Sequence, residues 1–212
     1  VLDLMRQAGC WPLGPSTAAE GRWPGPGGGA DGDHGALLLD SVDATQGAVN
    51  LAQTLAMHGT LGAYNADATE GRQGLLAMPQ RQHWHPRMMW YGPSGIGSTR
   101  GLDGFVDGHQ LPFRIAFPRR RGSQHYVRIG DGNFSATGGW PSVTAWHGGP
   151  FMGGGPTGRE VTMRVMDFYH HHEGLIRENW VPIDIIDLLL QMDIDVFARM
   201  RLRLALGSRH AG

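Results

Sequence analysis

The period of hydrophobic and polar positions changes along the chain. From Ala36 to Met57 the apolar residues Leu38, Leu39, Val42, Val49, Leu51 and Leu55 recur at mixed helical spacing, which predicts one or two helices with a candidate break at Gly47. Met88-Met89-Trp90-Tyr91 is a short strand-like run closed by Gly92-Pro93. Ser98 or Thr99 is placed to cap a helix through Leu102, Phe105, Val106 and Gln110, which Pro112 should kink or end. From His125 onward the period is two. Tyr126–Ile129 and Phe134–Thr137 flank Gly130-Asp131-Gly132 as a hairpin, Ser142–Trp146 predicts a further strand, and Arg159–His171 a long one. The long strand turns at Glu173-Gly174 and returns through Leu175 to Val181. Helices first and an antiparallel meander afterwards predict an α+β fold.

Composition narrows the chemistry. With 212 residues, the chain has room for one ordinary domain and an appendage. Its basic residues are all arginine, which excludes lysine Schiff-base chemistry and a P-loop lysine. A single cysteine, Cys10, cannot form an internal disulfide or a thiolate metal site, and a reducing compartment is expected. Net charge is −1 and the arginines are scattered apart from Arg119-Arg120-Arg121, which reads as a solvated loop, so no nucleic-acid partner is expected. No apolar run reaches about 18 residues and no basic leader precedes one, so neither a membrane span nor a signal peptide is expected and the cytoplasm is the assigned compartment. The first residue, Val1, is read as that of a processed or trimmed chain.

Residues 23–35 are rich in glycine and proline and read as a linker. Before it, Asp3, Leu4 and Gln7 align without a gap on Asp187, Leu188 and Gln191, as one helical element used twice.

Several motifs in the second half resemble a known family. Thr157-Gly158 stands before a long strand, Glu173-Gly174 forms an acidic-Gly turn, Trp180 lies in the return strand, Asp184 follows four residues later, and Leu188-Leu189-Leu190-Gln191 closes a helix. With Trp84-His85-Pro86, Tyr91-Gly92-Pro93, Arg100-Gly101 and Phe113 to Phe117-Pro118 upstream, this order resembles the SnoaL-like polyketide cyclases over roughly residues 80 to 196. The resemblance implies a cone of the nuclear transport factor two class: a curved antiparallel sheet and N-terminal helices around an apolar pocket. It also implies metal-free, cofactor-free intramolecular aldol chemistry in which an aspartate before a tryptophan on the last strand exchanges the proton. Here that position holds Asn179, which cannot exchange a proton near neutrality but could hold a carbonyl or enolate oxygen. The organisation expected is a tail helix of a preceding copy at 1–22, the linker at 23–35, the SnoaL-like domain at 36–200 and a C-terminal tail at 201–212.

A two-residue turn at Glu173-Gly174 pairs His172 with Leu175, His170 with Arg177, Phe168 with Asn179 and Met166 with Val181. Alternation then places Arg164, Met166, Phe168, His170, Arg177, Asn179 and Val181 on one face and Val165, Asp167, Tyr169, His171, Ile176, Glu178 and Trp180 on the other. The resemblance assigns the first face to the pocket. Asn179, His170 as general base and Asp184 are the candidate catalytic residues, although Asp184 is also placed to cap the helix that follows. Tyr91, Trp90, His109, Met166, Phe168, Arg177 and Trp180 are candidate substrate contacts. His170-His171-His172 cannot gather on one ion from one strand, and no metal is expected. The expected function is cofactor-independent acid/base chemistry (aldol cyclisation, isomerisation or hydration) on an apolar polyketide-like carbonyl compound. A non-catalytic ligand-binding or dimerisation module is the alternative, and a homodimer is left open.

Overall fold

A computed structural model describes residues 43–63, 71–122 and 125–207. The tail helix and linker expected before residue 36 lie outside the described residues. Helix α1 (Ala44–Ala63) and the short α2 (Gly71–Ala77) lead through one 3-10 turn to strands β1 (Trp84–Tyr91) and β2 (Ser98–Arg100). A helical stretch follows in three parts: α3 (Gly101–Phe105), a π-helical turn (Val106–Gln110) and α4 (Leu111–Ala116). Strands β3 (Val127–Asp131), β4 (Phe134–Trp146), β5 (Glu160–His172) and β6 (Leu175–Trp180) form the meander, and α5 (Ile185–Gln191) and α6 (Val196–Gly207) close the described chain.

The six strands form one curved, unclosed sheet in the order β2-β1-β6-β5-β4-β3, antiparallel except for the β1–β6 pair. The expected α+β cone is therefore present, with local corrections. Pro86 lies within β1, in the irregular stretch between Trp84 and Met89 where its missing N–H costs no ladder bond. Ser142–Trp146 is the far half of β4, which passes Pro141 at a similar irregularity between Gly139 and Val143. Ser98 and Thr99 pair with Tyr91 and Trp90 in β2 instead of capping a helix. The helix that starts at Gly101 has no side-chain cap at Arg100, and Pro112 does not end it. Proline lacks a donor and crowds the carbonyl four residues back, so the turn before it widens to π geometry and the helix continues. The expected tail from residue 201 is helical as far as Gly207.

Gly47 is no break. Methyl carbons built on Gly47 and Gly130 would lie 2.3 Å and 2.2 Å from backbone atoms of the opposite residue, so α1 rests directly on β3. Asp43 fixes the helix start: its carboxylate accepts from the Gln46 amide (2.9 Å), its own amide donates to Asp131 Oδ1 (2.8 Å), and its carbonyl accepts from Gly132 (2.9 Å). Beyond this anchor Asn50, Thr54, Met57, His58 and Leu61 follow helical spacing; Asn50 bonds the β3–β4 turn at Gly132, Thr54 bonds Ser135 of β4, His58 bonds Tyr169 of β5, and Met57 and Leu61 join the apolar core. Below the sheet, α5 buries Leu188 and Leu189, and Gln191 bonds the Thr162 backbone twice, from its Nε2 to the carbonyl and from the amide to its Oε1 (2.9 and 2.8 Å).

Among the described residues no helix is long and apolar enough to cross a membrane. Gly47→Ala is expected to cost about 1–3 kcal/mol because backbone must move to admit the methyl. Gly59→Ala in the same helix meets nothing within 4 Å and is expected to be neutral or to stabilise by up to about 1 kcal/mol. Thermal unfolding of the two variants checks the contrast, and equal melting temperatures would contradict the close approach.

Candidate active site

The turn at Glu173-Gly174 has positive φ at both residues (51° and 73°), as a two-residue hairpin turn requires, and His172 pairs with Leu175 as expected. One step later the register changes. His171 faces Ile176, but His170 faces Glu178, so Arg177 is an extra residue bulged out of the ladder. Tyr169 then pairs with Asn179 and Phe168 with Trp180. Up to the bulge β6 alternates as expected; beyond it every side chain has changed face relative to β5. The face that carries Asn179 and Val181 is consequently the face of Met163, Val165, Asp167 and Tyr169.

These six residues line a cavity of about 220 Å³ between the concave side of the sheet, α1 and the interrupted helix. Met57, His58 and Leu61 contribute from α1, Trp84 and Trp90 from β1, and Phe105, His109, Gln110, Phe113 and Arg114 from the helical stretch. The π turn sets His109 flat against Trp90, ring centres 4.0 Å apart. Burial, with the nearby Arg120 adding to it, drives the His109 pKa down to about 3, so its ring is neutral. Two buried polar atoms of lining residues, Trp84 Nε1 and His109 Nδ1, have no hydrogen-bond partner among the described residues.

Asp167 is the one carboxylate among the described residues of this lining. It is 9% exposed, and burial lifts its pKa to about 7 against the opposing pull of hydrogen bonds from Asn179 and Tyr169. Asn179 Nδ2 lies 3.4 Å from Asp167 Oδ1 and donates to the Phe168 carbonyl at 3.2 Å. His125 Nδ1 is 3.0 Å from Thr137 Oγ1 and 3.7 Å from Asp167 Oδ2. Tyr169 keeps its proton, since burial and the adjacent Asp167 raise its pKa well above the phenol range. His58 Nε2 sits 2.8 Å from the Tyr169 hydroxyl, and burial, reinforced by His125 and Arg128, lowers the His58 pKa to about 4. His58 and Tyr169 thus share a hydrogen bond beside Asp167, which lies two residues from Tyr169 on the same face of β5.

Of the residues expected here from sequence, Asn179, Trp90 and His109 line the cavity. The others lie elsewhere, mostly because of the bulge. His170 faces away from the cavity, buried with Nδ1 3.2 Å from Glu178 Oε2 and its ring against Phe134. Tyr91 donates to Glu178 Oε1 (3.1 Å) and stacks on Trp180, so both aromatics belong to that outer cluster. Phe168 is exposed, Met166 is half-buried on the same outer face, and Arg177 turns from the bulge to donate to the Arg87 carbonyl. Asp184 caps α5 by accepting from the Asp187 amide (3.0 Å) and pairs with Arg164. His85 and His172 approach with ring centres 6.0 Å apart, and no group of three potential ligands among the described residues is placed to hold a metal. Sequence reasoning missed Asp167, Tyr169, His58, His125, Arg114 and Arg120. For the β5 pair a signal existed: Val161, Met163, Val165 and Tyr169 form an apolar stripe of period two, and Asp167 interrupts it.

Comparison with known proteins places this geometry in a family. The model of the SnoaL-like polyketide cyclases matches residues 79–192. A SnoaL-like polyketide cyclase by description, from Jannaschia sp., superposes with TM-score 0.54 over 74% of this chain and 98% of its own, at 17% identity. AclR of Streptomyces galilaeus, for which a hydroxylase activity has been suggested, gives TM-score 0.51 over 69% and 97% at 21% identity. A third relative, from Shewanella denitrificans and described as SnoaL-like, gives 0.52 over 68% and 97% at 9% identity. At such identities the superpositions establish the fold alone, and no curated protein sequence matches. The matched region spans more than half of the chain, from the approach to β1 through α5, and the protein belongs to the SnoaL-like polyketide cyclase family.

Proposed function

We propose that this protein is a cofactor-independent acid/base enzyme for an apolar carbonyl compound, and that Asp167 rather than residue 179 exchanges the proton. The observation that carries the reading is the buried Asp167 carboxyl in the cavity, with a pKa near 7 and Asn179 beside it. A base is most effective when its pKa lies near the working pH. Asp167 as carboxylate takes a proton from carbon next to a substrate carbonyl, becoming the acid as the enolate forms. Protonation weakens the claim of Asp167 on the Asn179 amide, whose N–H then serves the enolate oxygen. The enolate attacks a second carbonyl, and the resulting alkoxide recovers the proton from Asp167. Tyr169 and His58 orient the carboxyl and remain neutral throughout. Isomerisation uses the same two transfers, with the proton returned to a different carbon.

The test needs no native substrate. In D2O, wild-type protein is expected to accelerate α-deuterium exchange of 2-tetralone, followed by proton NMR, and Asp167→Asn to lower the enzymatic rate at least ~100-fold. No acceleration over buffer, or an unchanged rate in Asp167→Asn, would sink the reading. Because the base is the ionised form, the rate should climb about tenfold per pH unit below pH 7 and level off above it. Asn179→Asp sets a second carboxylate against the first, so the rise should move to higher pH.

Stability carries the opposite sign. The folded pKa of Asp167 is raised from 3.8 to about 7, so the folded state holds the proton more tightly. The protein should then lose up to about 1.4 kcal/mol per pH unit between pH 4 and 7 from this group. Asp167→Asn removes that loss, and melting temperatures at pH 5 and 8 should show the variant gaining on wild type at the higher pH.

A further inference from the structure

We propose that the substrate is an acid, and that its carboxylate docks against Arg120 with Arg114 alongside. This inference rests on the cavity being the substrate site. Arg120 belongs to the run expected to be a solvated loop, and its neighbours are exposed: Arg119 lies over the Trp146 ring at 5.8 Å, and Arg121, which also borders the cavity, pairs with Glu160. Arg120 instead turns inward to line the cavity, its guanidinium 5.6 Å from the centre of the Phe113 ring. Arg114, on α4, lines the same cavity.

Among the described residues Arg120 rests on the Phe113 ring and makes no ion pair. The charged neighbour felt by Arg120 is another cation, Arg114, and burial with that repulsion lowers the Arg120 pKa to about 10, which still leaves it charged at neutral pH. Asp167 does not neutralise it. The carboxyl lies against the Asn179 amide, and no ion pair among the described residues joins it to Arg120. A partly desolvated guanidinium with no acidic partner among the described residues is unfavourable, and an entering carboxylate relieves it by accepting from the forked donors of arginine. The rest of the lining accepts an apolar or aromatic body: Trp84, Trp90, Phe105, Phe113 and Met163. The ligand class that fits is a compact aromatic or polyketide-derived acid whose carboxylate sits at the arginine wall, apart from the carbon that meets Asp167.

The test compares 2-naphthoate with its neutral isostere 2-naphthamide, read by quenching of tryptophan fluorescence and by calorimetry. Wild type is expected to bind the acid at least tenfold more tightly than the amide, with the preference shrinking as salt rises. Arg120→Gln should abolish that preference while leaving amide binding unchanged, and Arg120→Lys should retain part of it. Melting temperature separates a binding role from a structural one: Arg120→Gln removes an uncompensated charge and should melt at or above wild type. Equal affinities for acid and amide in the folded wild type, or a preference that survives in Arg120→Gln, would overturn the proposal. So would a fall in melting temperature accompanied by equal loss of both ligands. These readouts involve binding alone, so the acid preference can hold when 2-tetralone exchange fails, and the reverse outcome is equally distinguishable.

Discussion

The extra residue at Arg177 decides which side chains share the cavity. In a regular hairpin, a strand that leaves a two-residue turn keeps its faces matched to its partner, and residue 179 would then stand beside Phe168. The bulge shifts β6 by one position, so Asn179 instead stands beside Tyr169 and two residues from Asp167 on β5. Bulges bend and twist the strand that carries them, and here the same device curves the sheet and re-aims the polar groups. His170 and Glu178, the other pair created by the shift, are turned to the far side, where they satisfy one another together with Tyr91.

With asparagine at position 179, Asp167 is the carboxyl among the described residues that line the cavity. Two carboxylates 3.4 Å apart could not both ionise. An amide on one strand and an acid on the next divide the work: Asn179 donates, and Asp167 holds the charge that burial makes reluctant. Neutral His58 and His109 line the same cavity without adding cations, since burial lowers them to about 4 and about 3. The arginines supply the positive charge at another part of the lining. The proposed acid/base chemistry and charge recognition thus fall to separate elements, β5–β6 for the first and the α4 region for the second.

The fold was legible because its cues are local. Period-two runs gave the strands of the meander, Glu173-Gly174 named its turn, and the family signature proves to be structural: Gly158 takes a positive φ (68°) while its amide bonds the His147 carbonyl, Asp184 caps α5, and Gln191 ties α5 to β5. The candidate site was less legible because the decisive event is a register change that no residue type announces. Alternation projected from the turn was correct as far as Ile176 and inverted beyond it, which sent Met166, Phe168 and His170 to the wrong side and hid Asp167 and Tyr169. Arg120 was obscured for a different reason. Three consecutive arginines read as one solvated run, and only tertiary packing tells the inward one from its exposed neighbours.

The claim on which the account turns is that the Asp167 carboxyl is buried beside Asn179 and titrates near neutrality. Carbon-13 NMR of the aspartate side-chain carboxyls, with Asp167 assigned by its loss in Asp167→Asn, measures this directly. The account predicts a midpoint near pH 7 for Asp167, and a still higher one in Asn179→Asp. A midpoint near 4, the ordinary carboxylate value, would contradict it.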